Sequence, residues 1–328
     1  MTLLAGIDIG GTKCAVSLGI QTDDQVRIIA KRRFLTLASS DSTIERLVSD
    51  LEELLHEHAA EGPIRAIGIS CGGPLNSKAG IILSPPNLPG WSRVDIIRPF
   101  RERFGVPVAL QNDANACALA EWQWGAGRGS RNMIFLTFGT GMGAGLILDG
   151  KLYSGASDMA GEVGHIRLEP TGPMGYGKIG SFEGFCSGGG IAELGRMMAN
   201  QMFAEGKHPS FCPTPAGIAA ITAEAIGEAA QRGETDALLI FQEVAYNLGR
   251  GLAILVDILN PDCIVIGSIY RRQQAILEPI IWEELRCEAL PHSLSVCKVL
   301  PAELKDNVGD FAGLSVAMHQ LLNEGSLA

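Results

Sequence analysis

The chain has 328 residues, 41 of them glycine, and 26 Lys and Arg against 36 Asp and Glu, a net charge of −10. Glycine exceeds its ordinary share of about 7% but follows no period, so collagen-like and disordered readings fall away. The acidic balance repels phosphate backbones and argues against nucleic acid as the main partner, while the length allows about two domains of ordinary size.

Eight cysteines form no C-x-x-C pair and several sit in apolar runs. That is the pattern of reduced thiols in a cytoplasmic protein. The N-terminus reaches Asp8 and a glycine pair too soon for a signal peptide. Apolar stretches such as Gly251 to Leu259 are too short to span a bilayer, so no membrane partner is expected.

In chain order, residues 3–9 read as a buried strand, Gly10 to Lys13 as a turn, and Cys14 to Leu18 and Gln25 to Phe34 as two further strands. Ile44, Leu47, Val48, Leu51, Leu54 and Leu55 have helical spacing and predict a helix over 43–59, with Asp41 or Ser42 as its N-cap. Strand 64–70, helix 94–104, strand 106–111 and an alanine-rich helix 114–124 follow. The pattern then restarts. Strand 133–138, the turn Gly139 to Gly143 and strand 144–148 repeat the opening strand, glycine turn and strand. An echo at about 130 residues points to two related α/β domains. Residues 150–190 read as functional loop. Helices at 187–202, 236–259 and 310–322 and a central strand at 263–267 complete the chain.

Three glycine-rich turns are candidate phosphate cradles: Gly10-Gly11-Thr12-Lys13, Cys71-Gly72-Gly73-Pro74 and Gly139-Thr140-Gly141-Met142-Gly143. Glycine lets backbone N–H groups approach phosphate closely, and Thr12, Lys13 and Thr140 add side-chain donors. Any one alone could be a simple hairpin turn. A dinucleotide fingerprint would need a helix directly after its glycines, and here a strand follows. Asp113, in Asn112-Asp113-Ala114-Asn115, stands between a strand and a helix. Such residues cap helices, and a carboxylate at a strand end can also act as a general base. Glu162, His165 and Glu183 cluster in the long loop with side chains suited to hydroxyl hydrogen bonds, as in a polyol site. Asn87, in Pro85-Pro86-Asn87-Leu88-Pro89-Gly90-Trp91, is a further candidate.

Together these residues resemble the ROK family of sugar kinases and sugar-responsive repressors. The matching segments are DIGGTK at 8–13, GISCGGP at 68–74, PNLPGW at 86–91, QNDANA at 111–116, FGTGMGAG at 138–145, AGEVGH at 160–165, SFEGFCSG at 181–188 and NPDCIVIG at 260–267. The resemblance implies an actin-like, hexokinase-type (ribonuclease H-like) duplicated α/β fold with an interdomain cleft. It places residues 1–113 plus roughly 306–328 in a smaller N-terminal domain and 114–305 in a larger C-terminal one. It implies ATP-dependent phosphorylation of a glucose-like hexose, typically at the 6-hydroxyl, by a homodimer.

Under that resemblance Asp113 matches the catalytic base. Gly73, Asn87, Asn112, Glu162, His165 and Glu183 match sugar contacts. Gly10, Gly11, Thr12, Lys13, Thr140 and Gly141 match phosphate contacts, and Gly267 the adenosine region. Asp8 is expected to orient Mg²⁺ through water.

Two departures stand out. Relatives carry a zinc motif C-x-C-G-x-x-G-C-x-E where this chain has Met174, Tyr176 and Ser181 in place of the three cysteines. No structural zinc is expected. His165 is then left to the sugar, and packing of Met174, Tyr176 and Phe182 is expected to hold the loop. Relatives also have glycine where Ser268 stands, and its Cβ is expected to narrow the nucleotide pocket.

An N-acetylmannosamine or N-acetylglucosamine kinase, a non-catalytic sugar sensor and an actin-like assembly ATPase are the competing readings. The first phosphate turn begins at residue 8, which leaves no room before it for the helix-turn-helix of a repressor. An assembly ATPase has no need of a polyol site.

Overall fold

The computed structural model describes residues 1–22 and 25–325. The chain opens with β1 (Thr2–Ile9), β2 (Lys13–Thr22) and β3 (Gln25–Leu35), a meander in which β2 pairs antiparallel to both neighbours. Helix α1 (Ser40–Glu57) follows and leads to β4 (Ala66–Cys71), parallel to β1. The cap of α1 is Ser39, whose hydroxyl accepts from the Ser42 N–H at 3.1 Å. The expected cap at Asp41 or Ser42 lies inside the helix, because capping begins before the apolar spacing does.

Short strands β5 (Leu75–Asn76), β6 (Ile81–Ile82) and β7 (Val94–Asp95) form a small sheet. Then come α2 (Ile97–Phe104), β8 (Val108–Asn112) and α3 (Asp113–Trp124). The first sheet has the order β3-β2-β1-β4-β8.

The second half continues with β9 (Met133–Phe138), β10 (Met142–Leu148) and β11 (Lys151–Tyr153). Asp149 and Gly150 turn β10 into β11 at φ 55° and 73°, as a two-residue hairpin requires. The hairpin β12 (Met174–Gly175) and β13 (Lys178–Ile179) precedes α4 (Phe182–Phe185), α5 (Gly188–Ala204), α6 (Ala223–Gln231) and α7 (Thr235–Leu259). After β14 (Cys263–Ile266) come α8 (Ile269–Glu288), α9 (Pro291–Leu294), β15 (Lys298–Pro301) and α10 (Val308–Gly325). The second sheet has the order β11-β10-β9-β14-β15.

The chain divides into two compact units. One holds Met1–Ser130, Gly145–Ala160 and the chain from Glu303 on; the other holds Arg131–Ala144 and Gly161–Ala302. This boundary differs from the one expected between residues 113 and 114. Helix α3 stays with the first unit because it packs on α10: the Ser315 hydroxyl donates to the Ala116 carbonyl at 2.9 Å. Gly145 joins it, since a Cβ there would stand 2.4 Å from Ala118 Cβ.

In the first unit α1 and α2 cover one sheet face with Leu47, Leu51 and Phe100 against Ile7, Ile9 and Ile69. Helix α10 covers the other at backbone contact. A Cβ on Gly68 would lie 2.1 Å from the Gly313 carbonyl oxygen, and one on Gly313 2.6 Å from the Ile7 nitrogen. Buried Glu121 closes the unit by accepting from the N–H groups of Ala126, Glu303 and Leu304 at 2.8, 3.2 and 2.9 Å.

In the second unit α7 is the core helix. It is long and apolar enough by composition to cross a membrane, but Ile240, Phe241, Val244, Leu248, Leu252 and Val256 are buried within the unit. Its run exceeds the apolar stretch at 251–259 because Glu243, Asn247 and Arg250 interrupt the hydropathy without breaking the helix.

Candidate functional site

In the first unit the parallel strands β1, β4 and β8 end together, and their carboxyl ends carry the predicted residues. Asp8 closes β1 opposite Ser70 of β4, and Cys71 faces Asn112 of β8. Asn112 caps α3, its Oδ1 accepting from the Asn115 N–H at 3.0 Å. Asp113 is the first residue of that helix and accepts from the Ala114 N–H at 2.9 Å. The capping and catalytic readings of this segment therefore fall on adjacent residues.

Asp113 is open to solvent at its surface, yet the protein crowded around its carboxyl raises the pKa by loss of hydration. Two backbone N–H groups, of Ala114 and of Asp113 itself, partly offset this. Burial pushes Asp8 up to about 6, the nearby Asp113 adds to the rise, and Lys31 and Arg33 oppose it. Two poorly hydrated carboxylates, one of them raised further by the charge of the other, are what a divalent cation relieves.

The turn Gly10 to Lys13 is closed by Gly10 N–H donating to the Lys13 carbonyl at 3.0 Å. Gly11 meets the Pro-rich turn directly: a Cβ there would stand 2.3 Å from the Asn87 carbonyl oxygen. The Asn87 amide in turn lies 3.4 Å from where a Cβ on Gly72 would be, and Asn112 Nδ2 lies 3.7 Å from the Gly73 position. Gly11, Gly73, Asn87, Asn112, Asp8 and Asp113 thus gather at one edge of the first sheet, with the exposed Thr12 and Lys13 beside Gly11. The Gly73–Pro74 peptide is cis.

In the second unit the turn Gly139 to Gly143 is braced from two sides. The N-terminus of α5 supplies Gly188 N–H to the Gly139 carbonyl at 2.7 Å and Gly189 N–H to the Thr140 carbonyl at 3.4 Å. Glu183 Oε2 accepts from the Met142 N–H at 3.0 Å. Glu183, expected as a sugar contact, therefore also fixes the turn that carries Thr140 and Gly141. Gly188 ends the matching segment 181–188, whereas Gly189 lies outside the segments read from the sequence although it continues the run Gly188-Gly189-Gly190.

The turn opens into a cavity of 850 Å³, lined at that end by Gly139, Thr140, Gly188 and Gly189. Ser268 lines it too, one residue past Gly267, at φ 46° where side chains are disfavoured. Ligand pockets run roughly 300–1,000 Å³, so the Ser268 Cβ leaves ample room. The expected narrowing does not deprive the cavity of a nucleotide's volume.

Glu162 and His165 flank a single helical turn whose glycines lie on β10. Gly161, at φ 91°, accepts at its carbonyl oxygen from the Ala144 N–H at 2.7 Å, and a Cβ on it would lie 2.0 Å from the Ala144 carbonyl oxygen. Both side chains are exposed, and the His165 ring stands edge-on to Tyr176 at 6.4 Å.

The loop that replaces the zinc motif is not held as expected. Met174 and Tyr176 are 57% and 78% exposed, and only Phe182 is buried, against Gly251 of α7. Hydrogen bonds do the bracing. The buried Ser181 hydroxyl caps α4 by accepting from the Gly184 N–H at 3.1 Å. Lys178 donates to the His165 carbonyl and Arg167 to the Ile179 carbonyl, each at 2.7 Å, and Arg250 pairs with Glu169. The thioether, phenol and bonded hydroxyl do not form a zinc donor set. Among the described residues no three His, Cys, Asp or Glu converge on a metal position.

The solved structure of a ROK family glucokinase from Streptomyces griseus, in complex with glucose and AMPPNP, matches with a TM-score of 0.73 at 28% identity, over 96% of this chain and 99% of that one. The ROK hexokinase from Thermus thermophilus matches with a TM-score of 0.78 at 27% identity, over 98% and 100%. The fold is thus the actin-like, hexokinase-type one, and the protein is a sugar kinase. The ROK family pattern covers residues 4–319, and the glucokinase of Streptomyces coelicolor is 31% identical over 313 residues, 94% of this chain and 95% of that protein. The chain belongs to the ROK family, where it is glucokinase-like. Its relatives there also include the N-acetylmannosamine kinase of Salmonella typhi, 31% identical over 281 residues, and the Escherichia coli DNA-binding transcriptional repressor Mlc, 29% over 302.

The raised pKa of Asp8 has a sign for stability. The folded carboxyl keeps its proton up to about pH 6, while an unfolded one releases it near 3.8. The folded state therefore binds more protons across that window, and stability falls as pH rises through it. Asp8→Asn is expected to raise Tm more at pH 7.5 than at pH 5 in thermal melts. A larger gain at pH 5 would contradict the burial of this carboxylate.

Proposed function

We propose that the protein transfers the γ-phosphoryl group of ATP to a hydroxyl of a glucose-like hexose, at O6, with Asp113 as general base. The observation that carries this reading is the position of Asp113. Its carboxylate leads α3 at the carboxyl ends of parallel strands, where α/β sheets bind ligands, and its basicity is raised by lost hydration.

Phosphoryl transfer asks mainly for positioning and charge stabilisation. Asp113 accepts the hydroxyl proton as the new P–O bond forms, and the proton stays on its carboxyl until product leaves. Asn87, Asn112, Glu162, His165 and Glu183 hydrogen-bond the sugar hydroxyls, and the Gly73 turn approaches the ring. Backbone N–H groups of the Gly10-Gly11-Thr12-Lys13 and Thr140-Gly141 turns, with the Thr140 hydroxyl, stabilise phosphate charge. The cavity beside Gly267 takes the nucleoside. Mg²⁺, when bound, neutralises phosphate charge, and Asp8 is the residue to hold it through water.

The relative that is an N-acetylmannosamine kinase supports a second reading, in which the acceptor is an N-acetylhexosamine. The same residues serve it, and the difference lies in the pocket wall at the sugar C2.

Asp113→Ala is expected to lower kcat by about 10²–10⁴-fold while sugar binding by calorimetry changes little. Near-normal turnover in that variant would overturn the assignment. We also infer that the 174–183 loop works without structural zinc. Elemental analysis of the native protein is expected to find none in stoichiometric amount, and about one equivalent would contradict the hydrogen-bonded bracing.

A further inference from the structure

The cavity described above has a second end. There the lining includes Ile221 and, from α8, Gln273, with Glu224, Glu228 and Gln231 of α6 and Arg272 of α8 around them. Gln273 stands at a kink. Its φ of −115° and ψ of 17° leave the helical region near the start of α8. The residue is 7% exposed, and its amide oxygen is buried with no hydrogen-bond partner. The Tyr270 hydroxyl, three residues earlier on the same helix, is also buried and unpartnered.

A buried amide oxygen without a partner is costly, about 1–3 kcal/mol. Nearby sequence preserves the arrangement. Gly227 of α6 lies against the amide, and a Cβ there would stand 2.5 Å from Gln273 Nε2. Any side chain at 227 would displace it. The result is an amide held at the far end of the cavity from the turn that meets phosphate.

We propose that Gln273 reads the nucleotide base, pairing its side-chain amide with the 6-amino group and adjacent ring nitrogen of adenine. One amide offers a donor and an acceptor in one plane, and the adenine edge offers the complementary pair. A half-turn of the amide exchanges its two ends, so the acceptor can face the 6-amino group. Ile221 and Ile269 are the apolar side chains of the lining against which the base lies. This assignment rests on the reading of the cavity as the nucleotide site and adds to it the residue that selects the base.

The test compares ATP with purine riboside triphosphate, which lacks only the 6-amino group, at saturating sugar. The full chain is expected to show a KM for ATP about tenfold below that for the analogue, the worth of one buried hydrogen bond. Gln273→Met keeps the volume and removes the pairing, so the two KM values should converge while the KM for sugar holds. Gly227→Ala, which crowds the amide without replacing it, should move the ratio the same way. If the wild type does not distinguish the two nucleotides, or if the ratio survives Gln273→Met, the proposal is wrong. Ala223→Trp, which fills the cavity, separates that failure from failure of the site. A raised nucleotide KM in Ala223→Trp with an unchanged ratio in Gln273→Met overturns only the base contact. An unchanged nucleotide KM in Ala223→Trp overturns the cavity as the nucleotide site and the base contact with it.

Discussion

Backbone meets backbone without an intervening side chain at the points on which this protein depends. In the first unit Gly6, Gly68 and Gly313 let α10 sit directly on β1 and β4. That contact holds α10 against β1 and β4, two of the strands whose carboxyl ends carry the candidate site. The same device recurs at the site. Gly11 touches the Asn87 carbonyl, and Gly161 and Gly164 touch the backbone of β10. Glycine costs conformational entropy on folding, and here it is concentrated where the main chain must lie against main chain or ligand. Of the 41 glycines, 20 fall between Gly125 and Gly195, the stretch that carries the turn at 139–143 and the long loop proposed to meet phosphate and sugar.

A second constraint is electrostatic. The strand ends that bring Asp8 and Asp113 together also strip both of water. The folded protein therefore keeps two carboxylates whose ionisation near neutral pH works against stability. Such strain at a functional site is the ordinary cost of preorganisation. Elsewhere the carboxylates are spent on structure. Glu121 gathers three backbone N–H groups. Asp262 accepts from the Arg131 and Asn132 N–H groups at 2.8 and 2.7 Å.

Much of this was legible in the sequence because local signals agreed with the fold. The strand–glycine turn–strand echo predicted both halves, and the apolar spacing of Ile44 to Leu55 predicted α1. Asn112 reads as a cap and is one. The failures have physical reasons. Helix α8 was not foreseen, since Pro279 lies within it and Gln273 breaks its dihedrals. The boundary after Asp113 missed that α3 belongs with α10, a pairing between residues about 200 positions apart that no local pattern encodes. Large apolar residues suggest packing, so the sequence puts the bracing of the 174–183 loop on Met174, Tyr176 and Phe182, of which only Phe182 is buried. The buried hydroxyl of Ser181, with Lys178 and Arg167, carries the rest through hydrogen bonds to backbone that depend on the folded loop. Gln273 belongs to the same class, since an orphaned buried amide is visible only once the chain is folded.

The central claim is that this ROK protein is a catalytic hexose kinase. The most direct measurement is coupled ADP release from ATP across a panel of glucose, mannose, fructose, N-acetylmannosamine and N-acetylglucosamine. The account predicts release that depends on sugar and is fastest with glucose. Fastest release with an N-acetylhexosamine would move the acceptor to the second reading. Release without sugar, or sugar binding with no release from any member of the panel, would contradict the claim.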